Sequence, residues 1–162
     1  MRFTLRILLA LGLSLALSTT TQAQFSYQWA VGGKLGNPPS VSVKVFFNDA
    51  SALETLGAFG WSGAGASVFY EHHFYIGAAP GLRFYLGGGG HAAYVPEYGY
   101  NPYANIYYQN GLYAGVDGVV GLEYVFEKIP LVLSLDVIPL LNVGRPVSVW
   151  WNAGVSARYA FK

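Results

Sequence analysis

The sequence predicts an all-β protein folded as an eight-stranded antiparallel up-and-down transmembrane β-barrel. Several segments alternate apolar residues with small or polar ones, which is the period-two pattern of β-strands. Stretches rich in Gly, Pro, Asn and Ser separate these segments, and no later segment shows the 3.6-residue period of an amphipathic helix. Only 10% of the residues are charged, whereas 53% are hydrophobic and 17% aromatic. A soluble domain carries about 25% charged residues, so this chain has too little charge to cover a water-facing surface.

The N-terminal segment, residues 1–23, is predicted to be a cleaved signal peptide. A basic start is followed by an apolar run at residues 7–17, which then gives way to small and polar residues. Thr21 and Ala23 fit the −3 and −1 positions of a signal-peptidase site. As a helix, the apolar run would span roughly 17 Å, which is short of the ~30 Å core of a bilayer. Cleavage after Ala23 would leave one mature domain, residues 24–162.

Four strands are predicted in the first half of the mature chain, at about residues 26–34, 40–48, 52–62 and 65–73. The separators "GNPPS", "NDAS" and "SGAG" have turn chemistry. The second strand shows the period most clearly, because "SVSVKVF" places Val41, Val43, Val45 and Phe47 on one face. Its Ser and Lys residues fall on the opposite face.

Four further strands are predicted at about residues 82–95, 111–126, 131–143 and 147–161. They follow "AAPG", the long connection "PEYGYNPYANIYYQN", "EKIP" and "VGRP". In "LVLSLDV", Leu133 and Leu135 share a face, and Ser134 and Asp136 share the other. The final segment, "WNAGVSARYAF", alternates in the same way. An even number of strands places both chain ends at one end of the barrel, so the connections near 35–39, 63–65, 96–110 and 144–147 would lie at the other end.

The alternation alone does not say which face meets water, because a soluble lipocalin-like barrel and a membrane barrel differ by inversion. The polar faces are rich in Gly, Ser and Ala, which suit a narrow interior better than a solvated surface. Aromatic residues on the apolar faces lie near strand ends, as in the two girdles of a membrane barrel. These aromatic residues are Trp29, Trp61, Tyr94, Tyr124, Phe126, Trp151, Tyr159 and Phe161. A membrane barrel is therefore the predicted form.

Eight charged residues fall on the small and polar faces and are predicted to form an interior charge network. They are Lys44, Glu54, Glu71, Arg83, Asp117, Glu123, Asp136 and Arg158. Isolated charges in a narrow interior are costly, so we expect them to pair, Lys44 with Glu54 and Arg158 with Asp136 or Glu123. Eight strands leave just enough room for side chains to fill the interior, which favours structural ion pairs over an ion pathway.

A resemblance to a known family begins in the second half of the chain. The segments "GVDGVVGLEYVFEKIPLVLSLDVIPLLNVG" and "WWNAGVSARYAF" resemble the C-terminal half of small outer-membrane β-barrel proteins common in the Bacteroidetes, a divergent OmpA/OmpX-type eight-stranded set. Shared features are a Gly-rich strand with an acidic position, a Pro-containing turn, a strand with an "SLD" core and a closing "RY-F". Here Phe161 is followed by Lys162. The resemblance implies a monomer in the bacterial outer membrane, surrounded by outer-membrane lipid and inserted by the barrel-assembly machinery.

Several kinds of site are not predicted. The near-zero charge balance gives no basis for a nucleic-acid partner, and the absence of Cys leaves no thiol ligand. The stretch "LGGGGHAAY" lacks the helix and the Lys-Ser/Thr of a phosphate loop. His72 and His73 point to opposite faces of a strand, and His91 has no partner at ligand spacing. We therefore predict no metal and no cofactor.

An enzyme is not predicted either, although a lipid A-modifying enzyme and a narrow small-solute pore are the alternatives. A lipid A deacylase needs Ser and His together, and Ser156 has no His beside it. A palmitoyl transferase needs a His, Asp and Ser group near the outer rim, and no His is predicted near Asp117. The predicted role is structural or surface interaction, with a plugged, charge-paired interior.

The long connection is predicted to be an extracellular binding loop for a surface protein or glycan, or else a loop that packs over the barrel mouth. Tyr side chains offer a large contact area and one polar group at low entropic cost. The loop's tyrosines are Tyr98, Tyr100, Tyr103, Tyr107 and Tyr108.

Overall fold

A computed structural model describes residues 27–60, 63–96, 99–101, 106–143 and 147–161. The predicted signal peptide with its cleavage site, and Trp61, lie outside these residues. The described chain forms ten strands: β1 (Trp29–Leu35), β2 (Ser40–Phe46), β3 (Ser51–Gly60), β4 (Gly63–Tyr75), β5 (Leu82–Val95), β6 (Gly99–Asn101), β7 (Ile106–Tyr108), β8 (Gly111–Val125), β9 (Leu131–Asn142) and β10 (Ser148–Phe161).

Eight of these strands close into an antiparallel barrel in the order β1-β2-β3-β4-β5-β8-β9-β10. The barrel closes where β1 pairs with β10, from Trp29 opposite Phe161 to Leu35 opposite Val155. Closure leaves no barrel strand with an unpaired edge. The predicted fold class, an all-β eight-stranded antiparallel barrel, is confirmed.

The two ends of the barrel differ, and we name them by the residues they hold. The base is the end at which β1 starts, at Trp29, and β10 ends, at Phe161. The mouth is the opposite end, at which β1 ends and β2 begins. The long connection between β5 and β8 is at the mouth, as the even strand count predicted. It contains the separate hairpin β6-β7, which the sequence pattern did not predict.

Side chains alternate between the interior and the exterior along every barrel strand, because successive residues of a strand point to opposite faces. The apolar face of each strand is outside. Residues of this apolar face that are exposed include Val43, Leu122, Leu133, Leu135 and Val155. The small and polar face is inside, where directly paired residues such as Lys44 and Glu54 share the interior.

Compact turns join the strands at the base. In the turn between β2 and β3, the Asn48 side chain accepts hydrogen bonds from the backbone N–H groups of Ala50 (3.0 Å) and Ser51 (2.8 Å). The turn between β4 and β5 ends at Gly81, whose φ of +86° lies in the left-handed region that glycine adopts without strain. β4 extends to Tyr75, two residues beyond the predicted end of this strand at residue 73. None of the described residues belong to a helix with the length and hydrophobicity that a membrane crossing needs.

Candidate functional site

The interior of the barrel is built in layers, which follow from the inward residues of each strand. Along β3 the inward side chains are Ala52, Glu54 and Leu56, in order from the base. Ala52 belongs to a buried apolar layer at the base, and Leu56 belongs to a second apolar layer closer to the mouth. Glu54 lies between them. β8 and β9 also contribute to both layers, with Glu123 between Val125 and Val119 and Asp136 between Val132 and Ile138. Charged side chains are thus enclosed between two apolar layers.

The apolar layers seal these charges from water on both sides. The layer at the base consists of Tyr27, Ala30, Phe46, Ala52, Val125, Val132 and Ala160. The upper layer consists of Leu56, Phe69, Tyr85, Val119 and Ile138, with Leu140 packed against it. Because charges that are removed from water need direct partners, the ion pairs between the layers decide whether this interior is stable.

Lys44 is at the centre of the buried charges. Its Nζ lies 2.7 Å from Glu71, 3.2 Å from Glu54 and 3.3 Å from Glu123. Its ammonium group also lies over the Tyr85 ring, 4.3 Å from the centroid. One cation therefore bridges three carboxylates that come from three different strands. The expected pair of Lys44 and Glu54 is present as part of this larger group.

Arg158 joins the same group from β10. Its guanidinium contacts the Glu54 carboxylate, donates to the hydroxyl of Ser134 at 2.9 Å, and lies 3.8 Å from Glu123. Nε donates to the hydroxyl of Ser42 at 2.6 Å, and this hydroxyl donates to Glu54 at 2.6 Å. We refer to Lys44, Glu54, Glu71, Glu123 and Arg158 as the basal charge cluster.

Of the two carboxylates that Arg158 was expected to reach, it contacts Glu123, at 3.8 Å, and not Asp136. Asp136 instead accepts hydrogen bonds from Lys34 and, at 2.9 Å, from the hydroxyl of Tyr85. Both donors come from two strands away, Lys34 from β1 and Tyr85 from β5. They reach Asp136 because the residues paired with it on both sides are glycines, Gly121 on β8 and Gly154 on β10.

The space that these glycines leave is occupied. A Cβ at Gly121 would lie 2.5 Å from Cζ of Tyr85 and 2.8 Å from Cβ of Asp136, and a Cβ at Gly154 would lie 2.7 Å from Cε of Lys34. The glycines therefore act as gaps in the inner wall through which long side chains pass. This explains why Asp136, on a strand of otherwise apolar and small residues, has two partners.

The Gly121→Ala variant should be destabilised by about 2–3 kcal/mol, because overpacking a filled interior typically costs about 1–3 kcal/mol and the Tyr85–Asp136 hydrogen bond would also be displaced. The measurement is urea-induced unfolding of the refolded barrel, followed by tryptophan fluorescence. Gly33→Ala is the matched control, because a Cβ there meets nothing within 4 Å. If the two variants were equally stable, the packing of Tyr85 over Gly121 would not contribute to stability.

Arg83 and His73 border the basal charge cluster. Arg83 is buried, with its guanidinium carbon 4.7 Å from the ring centroid of Tyr75 and 5.3 Å from that of Phe46. His73 is buried on the inward face, and its Nε2 lies 3.0 Å from the Glu71 carboxylate. His72, the residue that precedes His73 in the strand, is exposed on the opposite face. The prediction that the two histidines point to opposite faces is confirmed.

A second polar group lies above the upper apolar layer, toward the mouth. His91 Nδ1 lies 2.6 Å from Asp117 Oδ1, and its Nε2 lies 2.8 Å from Asn142 Oδ1. The amide of Asn142 in turn donates to the hydroxyl of Ser148 at 3.2 Å. Both ring nitrogens thus lie within hydrogen-bonding distance of an oxygen atom. The expectation that no His lies near Asp117 was wrong.

A cavity of about 230 Å³ occupies the mouth half of the barrel. Leu56, Phe69 and Ile138 of the upper apolar layer form its floor. Small residues of β3, β4 and β5 form one wall, and Trp150, Asn142 and Asn152 stand on the other side. His91, Tyr113 and residues at the start of β2 also contribute to the lining. Among the described residues, the interior is therefore filled with side chains toward the base and holds this cavity toward the mouth.

All eight residues of the predicted interior network are buried inside the barrel. Five form the basal charge cluster, Arg83 lies beside it, and Asp136 and Asp117 each belong to a separate polar group. Sequence reasoning missed Lys34, His73 and His91 as interior groups. The missed signal is the even or odd position along the strand, since Lys34 falls on the same face as Ala30 and Gly32, and His91 on the same face as Arg83.

The predicted extracellular binding loop is described only in part. Tyr98 and Tyr103 lie outside the described residues. Tyr100 pairs with Tyr107, and Gly99 pairs with Tyr108, in the β6-β7 hairpin. The stem of the loop is held by hydrogen bonds from Asn110 Nδ2 to the carbonyl of Pro96 at 2.5 Å and from the hydroxyl of Tyr113 to the carbonyl of Gln109 at 3.0 Å.

Within the residues that the structure describes, no group of three or more His, Cys, Asp or Glu side chains is arranged to hold a metal ion. No protein-family model matches the chain, and a search of curated proteins found no match. The fold and the interior therefore define the class of molecule by themselves: a closed eight-stranded β-barrel with charged residues inside and apolar residues outside.

Proposed function

We propose that the chain is an integral outer-membrane β-barrel of the OmpA/OmpX type, with a structural or surface-interaction role. The observation that carries the proposal is the distribution of charge. Among the described residues, nine Lys, Arg, Asp and Glu side chains are buried inside the barrel, and the remaining three, Asp49, Glu127 and Lys128, lie in base turns. No outward position of a described barrel strand carries a charge, while large apolar side chains line this surface. Only a hydrocarbon surrounding favours such an exterior.

Aromatic side chains at the base support the proposal. Trp29 stacks on Phe161 with ring centroids 3.9 Å apart, and Tyr159 and Tyr124 make edge contacts at 4.8 Å with Phe161 and Phe126. At the mouth end, Tyr94 and Trp151 are exposed. Two aromatic belts separated by an apolar band are typical of barrels that span a bilayer. With both termini at the base, the base would face the periplasm and the mouth the exterior.

Expression of the full chain in a Gram-negative host should yield a protein that begins at Gln24 and fractionates with the outer membrane. Its gel migration should change on heating, because a closed membrane barrel resists unfolding by detergent until it is boiled. Mass spectrometry of the purified protein, sucrose-gradient fractionation and paired heated and unheated gel lanes test the three points. Recovery in the soluble fraction, or an intact N-terminus in the inner membrane, would refute the proposal.

The interior favours a non-conducting barrel over the pore alternative. The basal charge cluster and its two apolar layers occupy the cross-section, and eight strands leave no aqueous channel beside filled side chains. A planar-bilayer recording distinguishes the two, because the proposed barrel should give no steady single-channel current.

A lipid A-modifying enzyme is the second candidate, and His91 beside Asp117 is the observation that favours it. A His–Asp pair at 2.6 Å, next to a cavity near the mouth, is the arrangement of a general base and its orienting carboxylate. The second ring nitrogen, however, is held by Asn142 and not by a serine, which favours a non-catalytic role. Lipid A extracted from cells with and without the protein should have the same mass, whereas an enzyme would shift it.

The tyrosine-rich loop between β5 and β8 carries the proposed surface interaction with a protein or glycan. Replacement of residues 97–110 by a short Gly-Ser turn should leave barrel assembly intact and abolish surface binding, because loops tolerate change better than the strands they join. Heat-dependent gel migration reports assembly, and adhesion of cells to immobilised glycans and matrix proteins reports binding. If the variant failed to assemble, the loop would be part of the folded core. If adhesion were unchanged, the proposal that the loop binds a surface partner would be wrong.

A further inference from the structure

The cavity in the mouth half of the barrel has a size suited to one small ring. Its volume is about 230 Å³. An apolar cavity of about 150 Å³ holds benzene, whereas sites for drug-sized ligands run from about 300 to 1,000 Å³. The cavity therefore matches a single six-membered ring that carries substituents.

The lining selects an uncharged ligand. Among the described residues that line the cavity there is no Lys, Arg, Asp or Glu. The one histidine of the described lining, His91, already faces the Asp117 carboxylate at 2.6 Å. A charged ligand would give up its hydration without meeting an opposite free charge, which is costly in a partly enclosed site.

The lining also has two chemically distinct parts. The floor is apolar, whereas Asn142 and Asn152 carry amides into the wall and Trp150 adds an aromatic surface. These amides are already oriented: Asn152 accepts from the backbone N–H of Asn37 at 3.2 Å, and Asn142 is held between His91 and Ser148. Oriented polar groups lower the entropic cost of binding. A hydrocarbon chain would displace water from these amides and offer them no hydrogen bond in return.

We infer that this cavity binds an uncharged pyranose sugar, as a free monosaccharide. A pyranose ring has C–H faces that fit the apolar floor and the indole of Trp150, and a rim of hydroxyl groups that fit the amides. The inference goes beyond the surface role proposed for the loop. Sugar binding requires only the barrel and its interior. The inference can therefore be correct or wrong whether or not the barrel lies in a membrane.

The test uses the mature protein in lipid nanodiscs, because the alkyl chain of a detergent could occupy the cavity. Glucose and N-acetylglucosamine are titrated as probes, hexanol is titrated as an uncharged hydrocarbon probe, and tryptophan emission with acrylamide quenching is recorded. A sugar should give a saturable response and protect one tryptophan from acrylamide, and hexanol should give none. No response to either sugar, or a saturable response to hexanol, overturns the inference.

Two matched pairs of variants locate the response. Trp150 lines the cavity, whereas Trp29 lies on the outside of the barrel at the base, away from the lining. Trp150→Phe should therefore remove the signal, and Trp29→Phe should keep it. Ala58 lines the cavity and Thr55, on the same strand, faces outward. Ala58→Leu should weaken sugar binding by at least about tenfold, and Thr55→Leu should not. A response that survives Ala58→Leu in a barrel with normal heat-dependent migration would place the sugar elsewhere and overturn the inference.

Discussion

Replacement of Lys44 by methionine should lower the free energy of unfolding by about 3–5 kcal/mol, the usual cost of breaking a buried ion pair by removing one partner. Lys44 is fully buried and its Nζ lies within 3.3 Å of three carboxylates. Methionine keeps most of the aliphatic stem, so little packing is lost. The loss comes from Glu54, Glu71 and Glu123, which would remain enclosed between apolar layers without their shared cation. Urea-induced unfolding of the barrel in lipid vesicles measures the effect.

A second substitution separates electrostatics from packing. Glu71 makes the closest contact with Lys44, at 2.7 Å, and its other oxygen has no hydrogen-bond partner in the described structure. Adding Glu71→Gln to Lys44→Met replaces the buried carboxyl group that lost its closest partner by an amide, so the double variant should recover at least about 1 kcal/mol relative to Lys44→Met alone. Lys128→Met, in an exposed base turn, is the control and should change stability by less than about 0.5 kcal/mol. Strictly additive effects would show that Lys44 and Glu71 do not interact.

The barrel was predictable because its signals are local. Alternation in "SVSVKVF" and "LVLSLDV" sets which side chains share a face, and the turn sequences separate the strands. The same alternation placed Lys44, Glu54 and Asp136 on the inner face, where the structure has them. Membrane or soluble surroundings could be argued only from composition, because alternation is unchanged when the two faces are exchanged.

The partners of the interior charges were not predictable in the same way. Arg158 was expected to contact Asp136 or Glu123, and its guanidinium does lie 3.8 Å from Glu123. It also reaches Glu54 on β3, across β1 and β2, which was not expected. Which side chains become partners depends on the width of the barrel and on where glycines leave space along the inner wall. Gly121 and Gly154 admit Tyr85 and Lys34 to Asp136, and this selection follows from strand register, which no single segment of sequence contains.

The position of His91 was also not predicted from the sequence. His91 and Asp117 are 26 residues apart and lie on β5 and β8, which become neighbours because the long connection closes a hairpin. A search for ligand spacing along the chain does not find this pair. Counting every second residue along each strand places both His91 and Asp117 on the inner face. Pairing β5 with β8 would then have placed the two side chains close together.

Leu135→Arg should destabilise the barrel by about 2–4 kcal/mol in lipid vesicles, because a cationic side chain at the bilayer midplane of a membrane barrel costs this much. Leu135 is 55% exposed on the outside of β9. Its paired neighbours are Leu122 on β8 and Val155 on β10, which are also exposed, so it lies within a continuous apolar surface. The measurement is unfolding by urea in vesicles, with fluorescence reporting the folded fraction.

A position at a different depth in the bilayer provides the control for this experiment. Leu112 is 74% exposed and is the second residue of β8, at the mouth end. Leu112→Arg should therefore cost only about 0–1 kcal/mol, as charged side chains do near the interface of a membrane barrel. In a barrel surrounded by water, both positions would be ordinary surface sites, and each substitution would change stability by less than about 0.5 kcal/mol. A large cost at Leu135 with a small cost at Leu112 requires an apolar medium around the middle of the barrel, whereas equal and small costs at both positions would rule out a membrane-spanning barrel.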